Sequence, residues 1–102
     1  MVTQFVNEKM IAVQSLMRKH RIKKGYLFGS SVKGDFNAQS DIDVLVEVDD
    51  TIEPVELGGY LWDLQFALED SFGRKGHLLT TRSLRNPYVI EEINETRELI
   101  YG

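Results

Sequence analysis

Two aspartates, Asp41 and Asp43, stand two residues apart at the start of a segment that alternates with the period of a β-strand, 41–48. In a strand, such residues point to the same face, with Cα atoms about 6.6–6.8 Å apart. Two carboxylates held this close repel each other, and a hard cation such as Mg²⁺, which prefers oxygen ligands, relieves that cost. The pair therefore predicts a divalent-metal site.

Gly29 and Ser30 follow a short apolar segment, Tyr26-Leu27-Phe28, that is predicted to be a buried strand. A glycine at a strand end lets the backbone approach a ligand closely, and free N–H groups of the next turn can bind phosphate. The hydroxyl of Ser30 adds a further donor. Ser40, directly before Asp41, is another candidate nucleotide-binding residue, although its hydroxyl could instead turn or cap the chain.

Each of these features has a structural alternative when it is taken alone. A Gly-Ser pair is usually a turn, and Asp-x-Asp is common on protein surfaces. Here, however, Gly29-Ser30 follows a predicted strand, and Asp41-Ile42-Asp43 opens the next one. This order predicts a metal–triphosphate site, in which glycine and serine hold the phosphates and the aspartates hold the metal.

The elements that would position these residues can be predicted from local patterns. Apolar residues at helical spacing predict a helix over 3–20, and the polar segment 31–40 is predicted to be a loop. A second helix should begin at Pro54 and end near Gly73. Its Gly58-Gly59 pair suggests close packing, a kink or a late helix start.

A third strand is predicted over 77–80, and Asn86-Pro87 is predicted to open a final helix that runs to about Glu98. The order helix, strand, strand, helix, strand, helix defines a mixed α/β (α+β) domain. Its small sheet should be flanked by helices. The sheet should be partly antiparallel, because the loop between the first two strands is too short for a helical crossover.

The composition excludes several classes of protein. A chain of 102 residues is long enough for a single domain, 1–102, and its 42% hydrophobic content predicts a packed core. Without cysteine and with two histidines, it has no disulfide, thiolate zinc site or three-histidine zinc site. The net charge of −4 argues against extended nucleic-acid binding. With neither a membrane-spanning segment nor a signal peptide predicted, we expect a cytoplasmic protein.

Two charged groups have open interpretations. The first is a basic cluster that either caps the first helix and is solvated, or forms a phosphate-attracting rim: Arg18, Lys19, Arg21, Lys23 and Lys24. The second is an acidic group on the predicted final helix that is either a solvated face or a surface for a basic partner: Glu91, Glu92, Glu95 and Glu98.

The segment 29–46 resembles the signature of the minimal nucleotidyltransferases, small members of the DNA polymerase β-like superfamily. That signature is Gly-Ser, an intervening loop and Asp-x-Asp, found here as Gly29-Ser30, ten residues and Asp41-Ile42-Asp43. Lys33 stands where the family usually has a basic residue, which makes it a candidate nucleotide-binding residue. The resemblance covers essentially the whole chain and implies the nucleotidyltransferase fold.

What the resemblance implies is transfer of a nucleoside monophosphate, AMP in the first instance, from ATP or another nucleoside triphosphate to an acceptor. Asp41 and Asp43 would bind two divalent ions, Mg²⁺ or alternatively Mn²⁺. Small members of the family often act as antitoxins that neutralise a helical HEPN-type toxin, in some cases by adenylylating it. A HEPN-type protein is therefore the expected partner, and a second copy of the chain is a further candidate.

One position departs from the family pattern. The family places a third carboxylate on the later strand, and an alignment by eye puts His77 there. Imidazole is a poor Mg²⁺ ligand, although it can bind a transition metal or act as a base. His77 is thus either a third catalytic residue or a strand histidine without function. The chain is accordingly either an active transferase or a degenerate one that acts by binding its partner; a nucleotide sensor and a plain interaction module are weaker alternatives.

Overall fold

A computed structural model describes residues 7–29, 32, 41–49 and 51–102. Among these residues, the elements occur in the order α1 (Met10–Lys19), β1 (Ile22–Phe28), β2 (Ile42–Val48), α2 (Pro54–Phe72), β3 (Gly76–Thr80), a 3₁₀ turn (Thr81–Ser83), α3 (Pro87–Thr96) and β4 (Glu98–Tyr101). The predicted loop 31–40 lies outside the described residues, apart from Val32. The mixed α/β class is confirmed.

The four strands form one mixed sheet in the order β3-β2-β1-β4. β1 pairs antiparallel with both β2 and β4, whereas β2 and β3 run parallel. The parallel pair is joined by the crossover helix α2, as a parallel connection requires. The predicted partly antiparallel sheet is therefore observed.

Two predicted boundaries are wrong. β1 begins at Ile22 rather than Tyr26, because Ile22 is buried and this half of the strand also pairs with β2. The final helix ends at Thr96, so Glu98 lies in β4 and not on a helical face. β4 itself is missing from the prediction. Its pairing with β1 and the burial of Ile100 outweigh the local pattern.

The helices cover both faces of the sheet. α1 and α2 pack on the face that carries Ile42, Val44 and Val46, which forms the larger core. α3 packs on the other face, where Phe28, Leu45 and Ile93 form a smaller one. Since Asp43 alternates with Ile42 and Val44, it belongs to the α3 face.

Local signals explain the helix ends. α2 begins at Pro54 and ends at Gly73, whose φ of 66° is the left-handed conformation that glycine favours. The helix continues through Gly58 and Gly59, and a Cβ atom added at either would meet nothing within 4 Å, which excludes close packing there. At α3, the Asn86 side chain caps the helix by accepting a 2.9 Å hydrogen bond from the backbone of Tyr88.

The turn between β2 and α2 is held by a carboxylate. Asp49 accepts hydrogen bonds from the backbone N–H of Thr51 at 2.9 Å and from its hydroxyl at 2.8 Å, and these bonds hold the pKa of Asp49 below its ordinary value. Within the described part of the chain, no helix is both long enough and apolar enough to span a membrane.

Candidate active site

The two candidate metal ligands lie at the start of β2. Asp41 immediately precedes the strand, and Asp43 is its second residue. Asp43 pairs with Phe28 of β1 on one side and with His77 of β3 on the other. The sheet thus brings the end of β1, the start of β2 and the start of β3 together, and these are the segments on which the sequence placed Gly29, the aspartates and His77.

Asp41 and His77 are in direct contact. His77 Nε2 and Asp41 Oδ2 are 2.8 Å apart, in a hydrogen bond that becomes an ion pair when the imidazole is protonated. The two side chains are half exposed, at 50% for His77 and 41% for Asp41. The predicted position of His77 beside the aspartates is therefore observed. Its imidazole is hydrogen-bonded to one carboxylate oxygen of Asp41, which is a predicted metal ligand.

Gly29 lies against the carboxylate of Asp43. Its φ is 62°, and a Cβ atom added there would lie 2.8 Å from Asp43 Oδ2, so a side chain at this position would collide with the site. Its backbone N–H donates a 2.9 Å hydrogen bond to the hydroxyl of Thr96 at the end of α3. Glycine is thus required both by the turn and by the close approach of the carboxylate.

A cleft of about 360 Å³ opens between α3 and these strand ends. Its walls include Phe28, Asp43 and His77 from the sheet, together with Tyr88 and Glu92 from α3. Tyr88 is 81% exposed at the rim. Tyr88 was not among the residues predicted from the sequence. Glu92 was predicted to belong to an acidic group that is either a solvated face or a surface for a basic partner, and its place in the cleft was not predicted.

Three candidate nucleotide-binding residues, Ser30, Lys33 and Ser40, lie outside the described residues. They remain predictions.

The basic cluster lies away from the cleft. Arg21 and Lys23 are at the start of β1, roughly 20 Å of strand from Gly29 at its other end. Arg21 donates to Tyr60 at 3.4 Å, which raises the pKa of its guanidinium, and lies 3.7 Å from Glu56. Lys23 lies 4.0 Å from Glu47. For Arg21 and Lys23, these contacts favour the solvated, structural interpretation over a phosphate-attracting rim.

The donor set suits a hard cation. Asp41 and Asp43 offer carboxylate oxygens at the accessible edge of the sheet, and Mg²⁺ is usually held by one or two carboxylates together with substrate phosphates. No group of three metal-ligating side chains is gathered among the residues that the structure describes. The two aspartates are thus of the donor type that Mg²⁺ prefers.

A mixed four-stranded sheet that presents a glycine and a pair of aspartates at adjacent strand ends is the arrangement of a nucleotidyltransferase domain. The model of the nucleotidyltransferase domain family matches residues 9–100 of this chain. The chain belongs to that family.

The relatives agree with this assignment. The chain is 40% identical over 86 residues to MJ1379 of Methanocaldococcus jannaschii, which is provisionally named a protein adenylyltransferase; the match covers 84% of this chain and 82% of the relative. A solved toxin–antitoxin structure with AMP-PNP is 26% identical, with a TM-score of 0.71, and the match covers 94% of this chain and 73% of that one.

A chain from the complex of a tri-AMPylated HEPN toxin of Shewanella oneidensis with an MNT antitoxin matches with a TM-score of 0.66 at 20% identity. The match covers 94% of this chain and 71% of that chain. At this identity, the likeness concerns the fold.

Proposed function

We propose that this chain is a metal-dependent adenylyltransferase that transfers AMP from ATP to a hydroxyl group of a partner protein, and that the partner is a HEPN-type toxin. The observation that carries the proposal is the convergence of Gly29, Asp41 and Asp43 at one edge of the sheet. The provisional name of the 40% identical relative supports protein adenylylation. The toxin–antitoxin structure with AMP-PNP supports a toxin as the partner and an adenine nucleotide as the donor, and the complex with the tri-AMPylated HEPN toxin supports the HEPN class.

The reaction balances without a further reagent. The acceptor oxygen forms a bond to the α-phosphorus of ATP, the bond from that phosphorus to the α,β-bridging oxygen breaks, and pyrophosphate leaves. The acceptor proton passes to a nearby base or to water. Bound Mg²⁺ would supply charge neutralisation on the triphosphate, held by Asp41 and Asp43. Gly29 contributes space, since its missing side chain leaves room for the carboxylate of Asp43 beside the backbone.

The proposal is tested with ATP labelled at the α-phosphate, Mg²⁺ and the HEPN-type protein from the same genome. We expect label on the partner protein. Asp43→Asn should lower the rate of labelling about 100-fold or more, because it removes a charged metal ligand. Asp63→Asn is the matched control, since Asp63 is an exposed aspartate on α2, on the opposite side of the sheet, and its loss should leave labelling unchanged.

A second function is favoured by the contact between His77 and Asp41. Because His77 stands where the family has a carboxylate and bonds to Asp41 at 2.8 Å, the chain could instead be an antitoxin that binds nucleotide and partner without transfer. ATP labelled at the γ-phosphate should leave the partner unlabelled under either function. Partner binding without any transfer from α-labelled ATP would establish this second function and contradict the first.

A further inference from the structure

Glu92 of α3 reaches the same point as Asp43. A Cβ atom added at Gly29 would lie 2.8 Å from Asp43 Oδ2 and 2.9 Å from Glu92 Oε1. The space left by the missing side chain is thus bordered by two carboxylate oxygens, one from the sheet and one from the helix. Both residues line the cleft of about 360 Å³, together with His77.

The position of Glu92 is fixed by its neighbours on the helix. Ile93 is 2% exposed and packs against Phe28 and Leu45, which sets the rotation of α3 over the sheet. The hydroxyl of Thr96 accepts the 2.9 Å hydrogen bond from Gly29 and donates a 2.7 Å hydrogen bond to the backbone oxygen of Glu92. The turn of helix that carries Glu92 is thereby tied directly to the strand end that carries Gly29.

The charges in the cleft are unequal across the sheet. On the β3 side stands His77, which contributes no negative charge and bonds to Asp41. On the α3 side stands Glu92, an exposed carboxylate whose Oε1 borders the same space beside Gly29 as Asp43 Oδ2. The negative charge that the family takes from its third strand is therefore available here from the helix.

We propose that Glu92 supplies the third carboxylate of the metal–nucleotide site, from α3 instead of from β3. This inference rests on the proposed function, because it concerns the same site. Since the described residues contain no preassembled group of three ligands, Glu92 joins the site by rotation of its exposed side chain. Its role is to add negative charge next to Asp43, which strengthens the hold on a divalent ion.

The test measures metal binding, without turnover. Free Mn²⁺ is followed by electron paramagnetic resonance in titrations of the protein with equimolar AMP-PNP. Glu92→Gln should weaken Mn²⁺ binding about tenfold or more, as the loss of a supporting carboxylate does in other metal sites. Glu91→Gln is the matched control: it makes the same change of charge one residue away on the same helix, outside the cleft, and should change binding less than about twofold.

A double variant tests whether Glu92 substitutes for the carboxylate of the third strand. If Glu92 substitutes for the carboxylate of the third strand, His77→Asp added to Glu92→Gln should restore Mn²⁺ binding to near the wild-type affinity. Equal weakening by Glu91→Gln and Glu92→Gln would overturn the proposal, because it would reduce the effect to general surface charge. An unfolded Glu92→Gln protein, detected by circular dichroism, would be replaced by Glu92→Asp, which keeps the charge and should retain most of the affinity.

The failures of the two proposals are distinguishable. If the wild type binds Mn²⁺ with AMP-PNP, Asp43→Asn loses that binding and Glu92→Gln keeps it, the role of Glu92 is wrong and the metal–nucleotide site stands. If the wild type and Asp43→Asn bind equally weakly, the metal–nucleotide site is wrong, and the role of Glu92 is overturned with it.

Discussion

His77 Nε2 and Asp41 Oδ2 are in direct contact at the strand ends. A cation that binds this oxygen would share it with, or replace, a 2.8 Å hydrogen bond, and His77 adds no negative charge to the site. Asp43 is placed differently, because its carboxylate borders Gly29 and the α3 side of the cleft. The two aspartates, equivalent in the sequence pattern, therefore have different neighbours in the folded chain.

His77→Asp should raise the rate of Mg²⁺-supported transfer about tenfold, because it adds a hard oxygen ligand and removes the hydrogen bond to Asp41. The measurement is the initial rate of partner labelling, with Mg²⁺ and with Mn²⁺. In the wild type, Mn²⁺ should support the faster transfer, because imidazole suits it better than it suits Mg²⁺. Loss of a brisk wild-type activity in His77→Asp would show instead that histidine is the working ligand or base.

Among the site residues, those predicted from the sequence belong to one contiguous motif. Gly29, Asp41 and Asp43 follow from strand alternation and glycine chemistry, and their mutual proximity is observed. Glu92 could not be predicted in the same way. Its place beside Asp43 depends on how α3 crosses the sheet, which is decided by the packing of Ile93 on Phe28 and Leu45. The positions of Ser30, Lys33 and Ser40 stay predictions.

Among the elements, α2 contains two glycines that lower its helix propensity. Gly58 and Gly59 lie within a continuous helix, and neither has a neighbour that a methyl group would meet. Gly59→Ala should therefore raise the free energy of unfolding by about 0.5–1 kcal/mol, through helix propensity and reduced freedom of the unfolded chain. Urea unfolding followed by circular dichroism measures the change.

Gly25→Ala is the matched control for that substitution. An added Cβ at Gly25 would overlap Sδ of the buried Met17, so the same chemical change should destabilise the protein. If both substitutions raised the free energy of unfolding, the entropy of the unfolded chain alone would explain the effect. If Gly59→Ala lowered the free energy of unfolding, the open environment of Gly59 would be contradicted.

The helix ends that were predicted well are those with a local signal. α2 has Pro54 at its start and Gly73 at its end, and α3 has the Asn86 cap at its start. The parts missed are those that depend on distant partners. Residues 22–25 are rich in lysine and glycine and resemble a turn, but they form a strand because they pair with β2. Glu98–Tyr101 resembles a continuing helix, but it forms a strand because it pairs with residues 25–27 of β1.

The stability of the whole molecule depends on the pairing of β4 with β1. Ile100 is 5% exposed and belongs to the larger core, while Leu99 next to it is 54% exposed. Ile100→Ala should lower the free energy of unfolding by about 2–5 kcal/mol, from lost burial and the cavity left behind. Leu99→Ala should change it by less than about 0.5 kcal/mol. Equal effects of the two substitutions in urea unfolding would contradict the orientation of β4.

The bond from Gly29 to Thr96 also has a consequence for the newborn chain. The aspartates leave the ribosome well before α3 and β4. Residues 96–101 of these later elements contact Gly29 and β1, which lie about 70 residues earlier in the chain. Contacts of such long sequence separation form slowly and late. A partly synthesised chain thus carries the complete Gly-Ser and Asp-x-Asp motif without the helix that walls the cleft. The cleft is therefore completed only after α3 and β4 have been made, later than the strands that carry Gly29 and the aspartates.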